Sequence, residues 1–123
     1  MPVPILSQGD ILIVSVQAAL SDGDLLRLRD DLAERVGRSR ARGVVIDVSA
    51  LDVLDSFAAR TLRGVAYTAR LRGAQTVVVG IQPDVAFAMV QLGLTLEGVQ
   101  TALDLEEGAA WLRSTPRGNN SGG

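Results

Sequence analysis

The chain has no cysteine and no histidine among its 123 residues. Those two absences exclude disulfide bonds, cysteine nucleophiles, Ser-His-Asp triads and the usual zinc sites together. Aromatic side chains are confined to Phe57, Tyr67, Phe87 and Trp111, too few for a sugar-stacking cleft or a base-stacking platform. Apolar runs such as Ile11-Leu12-Ile13-Val14 and Val77-Val78-Val79 are far too short to cross a bilayer. No basic stretch precedes an apolar run at the N-terminus, so no secretory signal is expected. A net charge of −2, with acids and bases interspersed, argues against nucleic-acid binding through bulk electrostatics. No G-x-x-x-x-G-K-[ST] loop is present, and the glycines are scattered through turns. Catalysis is left to carboxylates, tyrosine and hydroxyls. The expectation is a cytoplasmic binding or regulatory module rather than an enzyme, with no cofactor, no metal, no membrane and no nucleic acid.

What remains is an ordinary globular composition, 47% hydrophobic and 21% charged, in a length that supports one core rather than two. Residues 3–6 and 11–16 read as short strands joined by the turn Gln8-Gly9-Asp10. Ser21-Asp22-Gly23-Asp24 supplies helix-start chemistry, after which Leu25, Leu28, Leu32 and Val36 recur as one apolar stripe. On the polar side of that helix, Asp31 and Arg35 are spaced for an i,i+4 ion pair. Val44-Val45-Ile46-Asp47-Val48 is a continuous β-branched run, the pattern of a central strand covered on both faces. A helix over 55–71, a strand over 76–79, and a helix from Pro83 through Leu92 with Gly93 at its end follow. Val85, Met89 and Leu92 form the expected buried stripe of this third helix. A weaker strand over 100–103 and a helix over 105–112 carrying Trp111 complete the pattern. The order ββαβαβαβα predicts a single α/β domain over 3–113, with a mostly parallel five-stranded sheet, an N-terminal hairpin and four helices. Residues 114–123, rich in Pro, Gly, Asn and Ser, are expected to be a disordered tail.

The densest chemistry lies in Ser49-Ala50-Leu51-Asp52-Val53-Leu54-Asp55-Ser56-Phe57-Ala58-Ala59-Arg60. In open α/β sheets functional groups gather beyond the carboxyl ends of the strands, where this loop must lie. At about 100° per residue, Ala58, Leu62, Val65, Ala66 and Ala69 fall on one side of the following helix and must face the sheet. Ser56, Arg60, Arg63, Tyr67 and Arg70 fall opposite. A serine thus stands in the first helical turn, accessible, beside arginines and the carboxylates of Asp52 and Asp55. Either Asp55 or Ser56 can also serve as an N-cap worth about 1 kcal/mol. Asp47, ending a buried run, reads as a loop anchor, and Thr61, Thr68 and Thr76 rank below Ser56 as modifiable hydroxyls. A phosphate on Ser56 would add roughly −1.5 to −2 charges. The helix N-terminus and Arg60 favour it, whereas Asp52 and Asp55 repel it, so surface rather than fold is expected to change.

The run Val44-Val45-Ile46-Asp47-Val48 followed by Asp52-x-x-Asp55-Ser56-Phe57 resembles the signature of the STAS-domain family of anti-sigma-factor antagonists. Gly80-Ile81-Gln82-Pro83-x-Val85-Ala86, Leu92-Gly93 and Thr101-Ala102-Leu103-Asp104-Leu105-Glu106 are similar to its RsbS-type stressosome branch, the resemblance covering about residues 4–112. It implies the STAS topology, with Ser56 as phosphoacceptor. Asp52, Asp55, Phe57, Arg60 and Arg63 would then form the phosphoacceptor loop and kinase-docking surface. It further implies a homo- or hetero-oligomer with an RsbR-like co-antagonist, sequestering an RsbT-like kinase until Ser56 is phosphorylated. An RsbX-like phosphatase would reset the serine, and the output would be a stress response such as an alternative sigma factor. Free antagonists usually carry a small residue soon after the serine, so Phe57-Ala58-Ala59 favours the stressosome branch. The alternative is a stand-alone antagonist that binds an anti-sigma kinase directly. A second phosphosite of RsbR-like proteins would fall near 84–92, where this chain has no Ser or Thr.

Overall fold

Strands covered on both faces need apolar residues at every position rather than at alternate ones. In the computed structural model, which describes residues 3–17 and 20–115, this rule separates the sheet centre from its edges. Strand β3 (Gly43–Asp47) and strand β4 (Gln75–Val79) are buried along almost their whole length. Strand β1 (Ile5–Gln8) and strand β5 (Gln100–Ala102), at the two edges, are mostly exposed. The order is β1-β2-β3-β4-β5, with β2 spanning Ile11–Ser15. Only β1 and β2 are antiparallel, joined at Gly9-Asp10, and the other pairs are parallel. Strand β1 sits two residues later than its sequence pattern suggests, because Gln8, expected in the turn, is itself a ladder residue opposite Ile11.

Alternate residues of each central strand feed two cores. Leu12, Val14, Val44, Ile46 and Val78 face helices α1 (Asp22–Ser39), α2 (Ser56–Leu71) and α3 (Pro83–Leu92). Ile11, Val45, Val77 and Val79 face the single helix α4 (Leu105–Ser114) through Ala109 and Leu112. Helix α4 can lie this close because Gly108 has no side chain. A Cβ there would stand 2.8 Å from Val79 Cγ1.

Helix α1 follows its sequence pattern: Leu25, Leu28, Leu32 and Val36 are all buried. Ser21 caps it in a reciprocal pair with Asp24, each backbone N–H donating to the other's side chain at 3.1 Å. The Ser21 N–H holds the Asp24 carboxyl below the usual aspartate value. The expected Asp31–Arg35 pair does not form, since Arg35 donates across to Ser7 Oγ on β1 at 3.3 Å.

Helix α3 departs from expectation at its end. Val85 and Met89 are buried, but Leu92 is 71% exposed. Gly93 takes a left-handed conformation (φ 69°) and turns the chain so that the Leu94 N–H donates to Met89 O at 2.9 Å. Leu94, Leu96 and Val99 then pack on the core in place of Leu92. Strand β5 ends at Ala102, one residue earlier than its pattern. Helix α4 runs to Ser114, whose hydroxyl donates to Trp111 O. The remainder of the expected tail, 116–123, lies outside the described residues.

Candidate functional site

The loop between β3 and α2 leaves the sheet beside the end of β4 and is pinned along its length. Val48 N–H donates to Val79 O at 3.0 Å, and Leu51 N–H donates back to Val48 O at the same distance. Asp47 Oδ1 accepts the Ser49 N–H at 2.8 Å, the anchoring that its place after a buried run suggested. Gln82, at the start of α3, donates from Nε2 to Ser49 O at 2.8 Å. Gly80 (φ 80°) lets the β4–α3 turn lie against Ser49, because a Cβ there would be 2.9 Å from Ser49 Cβ. Leu54 is buried and Leu51 packs against the same core, leaving Asp52, Val53, Asp55 and Ser56 exposed.

Between the two cap candidates, the structure selects Asp55. Its backbone is extended, and its Oδ1 accepts the Ala58 N–H at 2.8 Å. Ser56 is therefore the first helical residue, exposed, and among the described residues no side chain or backbone group bonds its hydroxyl. Phe57 is half-buried against the core and orients this turn from beneath.

The other hydroxyls are placed differently. Thr61 is 8% exposed and donates to Phe57 O at 2.9 Å, while Thr76 is buried in β4. Thr68 is half-buried. Helix α2 turns Ala58, Ala59, Leu62, Val65, Ala66 and Ala69 inward with Thr61, and Arg60, Tyr67 and Arg70 outward.

Arg63 is half-buried, and its Nη1 donates to Thr95 O, in the α3–β5 connection, at 2.6 Å. That bond joins residues 32 apart in sequence and had no signal in the local pattern. The result is a shallow groove with Ser56, Arg60 and Arg63 on one wall and Leu94, Thr95 and Glu97 on the other. A separate apolar pocket beside the loop is lined by Leu20, Leu25, Leu51, Val53 and Asp55 among others. No group of His, Cys, Asp and Glu able to hold a metal ion occurs among the described residues, and no helix there is long and apolar enough to cross a membrane.

This arrangement is an exposed, unbonded serine on a rigid helix start at the carboxyl end of a parallel sheet. Residues 3–108 match the family model for the STAS domain. The chain belongs to the STAS-domain family. A serine-to-glutamate variant of Moorella thermoacetica RsbS superposes with a TM-score of 0.78 at 35% identity, over 91% of this chain and 95% of that one. A structure described as the molecular architecture of the stressosome, a signal integration and transduction hub, gives 0.76 at 36% identity, over 90% and 96%. Among curated proteins, the RsbT co-antagonist protein RsbRA of Bacillus subtilis (strain 168) is 32% identical over 91 residues, 66% of this chain. This STAS chain spans about a third of the length of that relative and of a second RsbT co-antagonist. Its likeness to RsbS and the stressosome agrees with the RsbS-type resemblance of its motifs.

Proposed function

We propose that this STAS domain is a cytoplasmic, non-enzymatic antagonist and scaffold subunit of a stressosome-like complex, switched by phosphorylation of Ser56. The observation that carries the reading is the division of labour at the start of α2. Asp55 makes the cap, so the Ser56 hydroxyl is not needed by the fold and points to solvent. An RsbT-like kinase would dock on Asp52, Asp55, Phe57, Arg60 and Arg63 and be held there. When it acts, the γ-phosphoryl group of ATP passes to Ser56 Oγ, the hydroxyl proton is lost and ADP leaves. The new dianion then meets whatever was packed against a neutral serine, and charge repulsion with desolvation cost weakens capture. An RsbX-like phosphatase returns the serine to its neutral form. An RsbR-like co-antagonist completes the assembly, a role favoured by the shared RsbR and RsbS likeness.

The test mixes the chain with an RsbT-like kinase and ATP. Mass spectrometry is expected to place one phosphate on Ser56, and Ser56→Asp is expected to weaken kinase capture at least tenfold. Phosphate found only on Thr61, Thr68 or Thr76 overturns the assignment. Co-expression with an RsbR-like protein is expected to give a megadalton particle. A monomer or dimer that still captures a kinase supports the stand-alone antagonist instead.

A further inference from the structure

The Arg63–Thr95 hydrogen bond is, among the described residues, the only one between α2 and residues 93–99. The segment it tethers is otherwise held by the Gly93 and Leu94 N–H bonds to the last turn of α3, by Val99 N–H to Leu96 O, by three half-buried apolar side chains, and by the approach of Arg70 Nη2, which would stand 3.2 Å from a Cβ at Gly98. Ser56, Arg60 and Arg63 follow one another at i, i+4 and i+7, so all three lie on one face of α2. Helical side chains lean toward the N-terminus, so those of Arg60 and Arg63 lean toward the end of α2 that carries Ser56, and all three residues line the same groove. The rise of 1.5 Å per residue places the Arg63 backbone about 10 Å along the axis from that of Ser56.

We infer that Arg63 is a relay: phosphate on Ser56 draws its guanidinium from Thr95 O into the groove, and the freed 93–99 segment carries the signal to a second surface. The inference rests on Ser56 being the phosphoacceptor. A guanidinium bound to one neutral carbonyl makes a weaker interaction than one paired bidentately with a phosphate dianion. Arg60 gains the same partner without giving one up. Glu97 acts in the same direction, because its carboxylate stands on the wall opposite Ser56 and is repelled by the new charge. Helix α2 itself stays in place, held by its buried side chains.

The test uses the full chain with phosphoserine encoded at position 56 during translation, so no kinase is involved. A kinase that ignores Ser56 would overturn the proposed function and leave this result standing, and the reverse also holds. Hydrogen exchange of residues 94–99 is expected to be about fivefold faster in the phosphorylated chain. Unphosphorylated Arg63→Ala should show the same acceleration, and phosphorylation should add little to it. The 31P titration midpoint of the phosphoserine should lie below that of an unfolded phosphopeptide and rise in Arg63→Ala, with Arg63→Lys restoring part of the shift. Circular dichroism checks that each variant keeps its helices. Unchanged exchange at 94–99, an equal acceleration by phosphate in Arg63→Ala, or a midpoint moved by Arg60→Ala alone would each overturn the relay.

Discussion

Helix α2 supplies one wall of the groove at Ser56, and α3 leads into the other, yet the two are held in opposite ways. Of the sixteen residues of α2, seven are buried, and its exposed residues are Ser56, Arg60, Tyr67, Arg70 and, at its end, Leu71. Helix α3 buries two of ten, Val85 and Met89, and turns Phe87, Val90 and Leu92 to solvent. The start of α2 is capped by its own Asp55. The N-cap residue of α3, Gln82, makes no cap bond and instead directs its side chain to Ser49 O. Ser56, the proposed phosphoacceptor, is thus mounted on the anchored wall. The less anchored wall is the one with freedom to respond, which is the arrangement a switch with a fixed input and a movable output requires.

The largest expected effects separate the two helices by core truncation. Leu62, 3% exposed, packs between α2 and the sheet, and Leu62→Ala should cost about 3 kcal/mol through lost transfer energy and a cavity. Met89→Ala, at 8% exposure on the thinly buried helix, should cost about 2 kcal/mol or less, because the site relaxes more easily. Urea midpoints with unchanged m-values measure both. Equal costs would break the contrast.

The same contrast decides what could be read from sequence. Helix α2 was legible because a long amphipathic segment against a single sheet face repeats its buried stripe several times, from Ala58 to Ala69. In α3 the stripe has only two members before Gly93 reverses the chain. Leu92 fitted the period, but the core position beyond Met89 is filled by residues after the turn, which no helical pattern contains. The choice between Asp55 and Ser56 as cap was open for a similar reason: both residue types accept the same N–H, and only the backbone entry angle separates them. The tether from Arg63 to Thr95 depends on how α3 and its connection fold back over α2, which spacing alone does not encode. Arg35 turned to Ser7 rather than Asp31 because the β1 edge came within reach.

Cap substitutions come next in size. Asp55→Ala should cost about 1 kcal/mol and lower Tm by about 3–5 °C, with Asp55→Ser recovering most of the loss. If the carboxylate only caps α2, Asp55→Ser should also be phosphorylated at the wild-type rate, and a loss beyond about tenfold would give it a part in the transfer. Gln82→Ala removes no cap from α3 and should cost only about 0.5–1 kcal/mol for its bond to Ser49 O. Its effect should show as faster hydrogen exchange confined to residues 49–54. Faster exchange spread through 83–92 would mean that Gln82 supports α3 after all.

The smallest effect is expected where α3 is most apolar and least covered. Val90 is 79% exposed, next in sequence to buried Met89. Removing a side chain that folding does not take out of water forfeits almost no transfer energy, so Val90→Ser should shift stability by less than about 0.5 kcal/mol. The pair Met89→Ala and Val90→Ser therefore reads, at adjacent positions, which side of α3 the fold uses. The measurement is a urea midpoint taken at two protein concentrations at least tenfold apart. A loss above about 1 kcal/mol at the higher concentration, shrinking on dilution, would mean that a second copy covers the α3 face in solution. Helix α3 would then be packed as firmly as α2, on its outer side rather than its inner one, and the freedom assigned to the far wall of the groove would belong to the monomer alone.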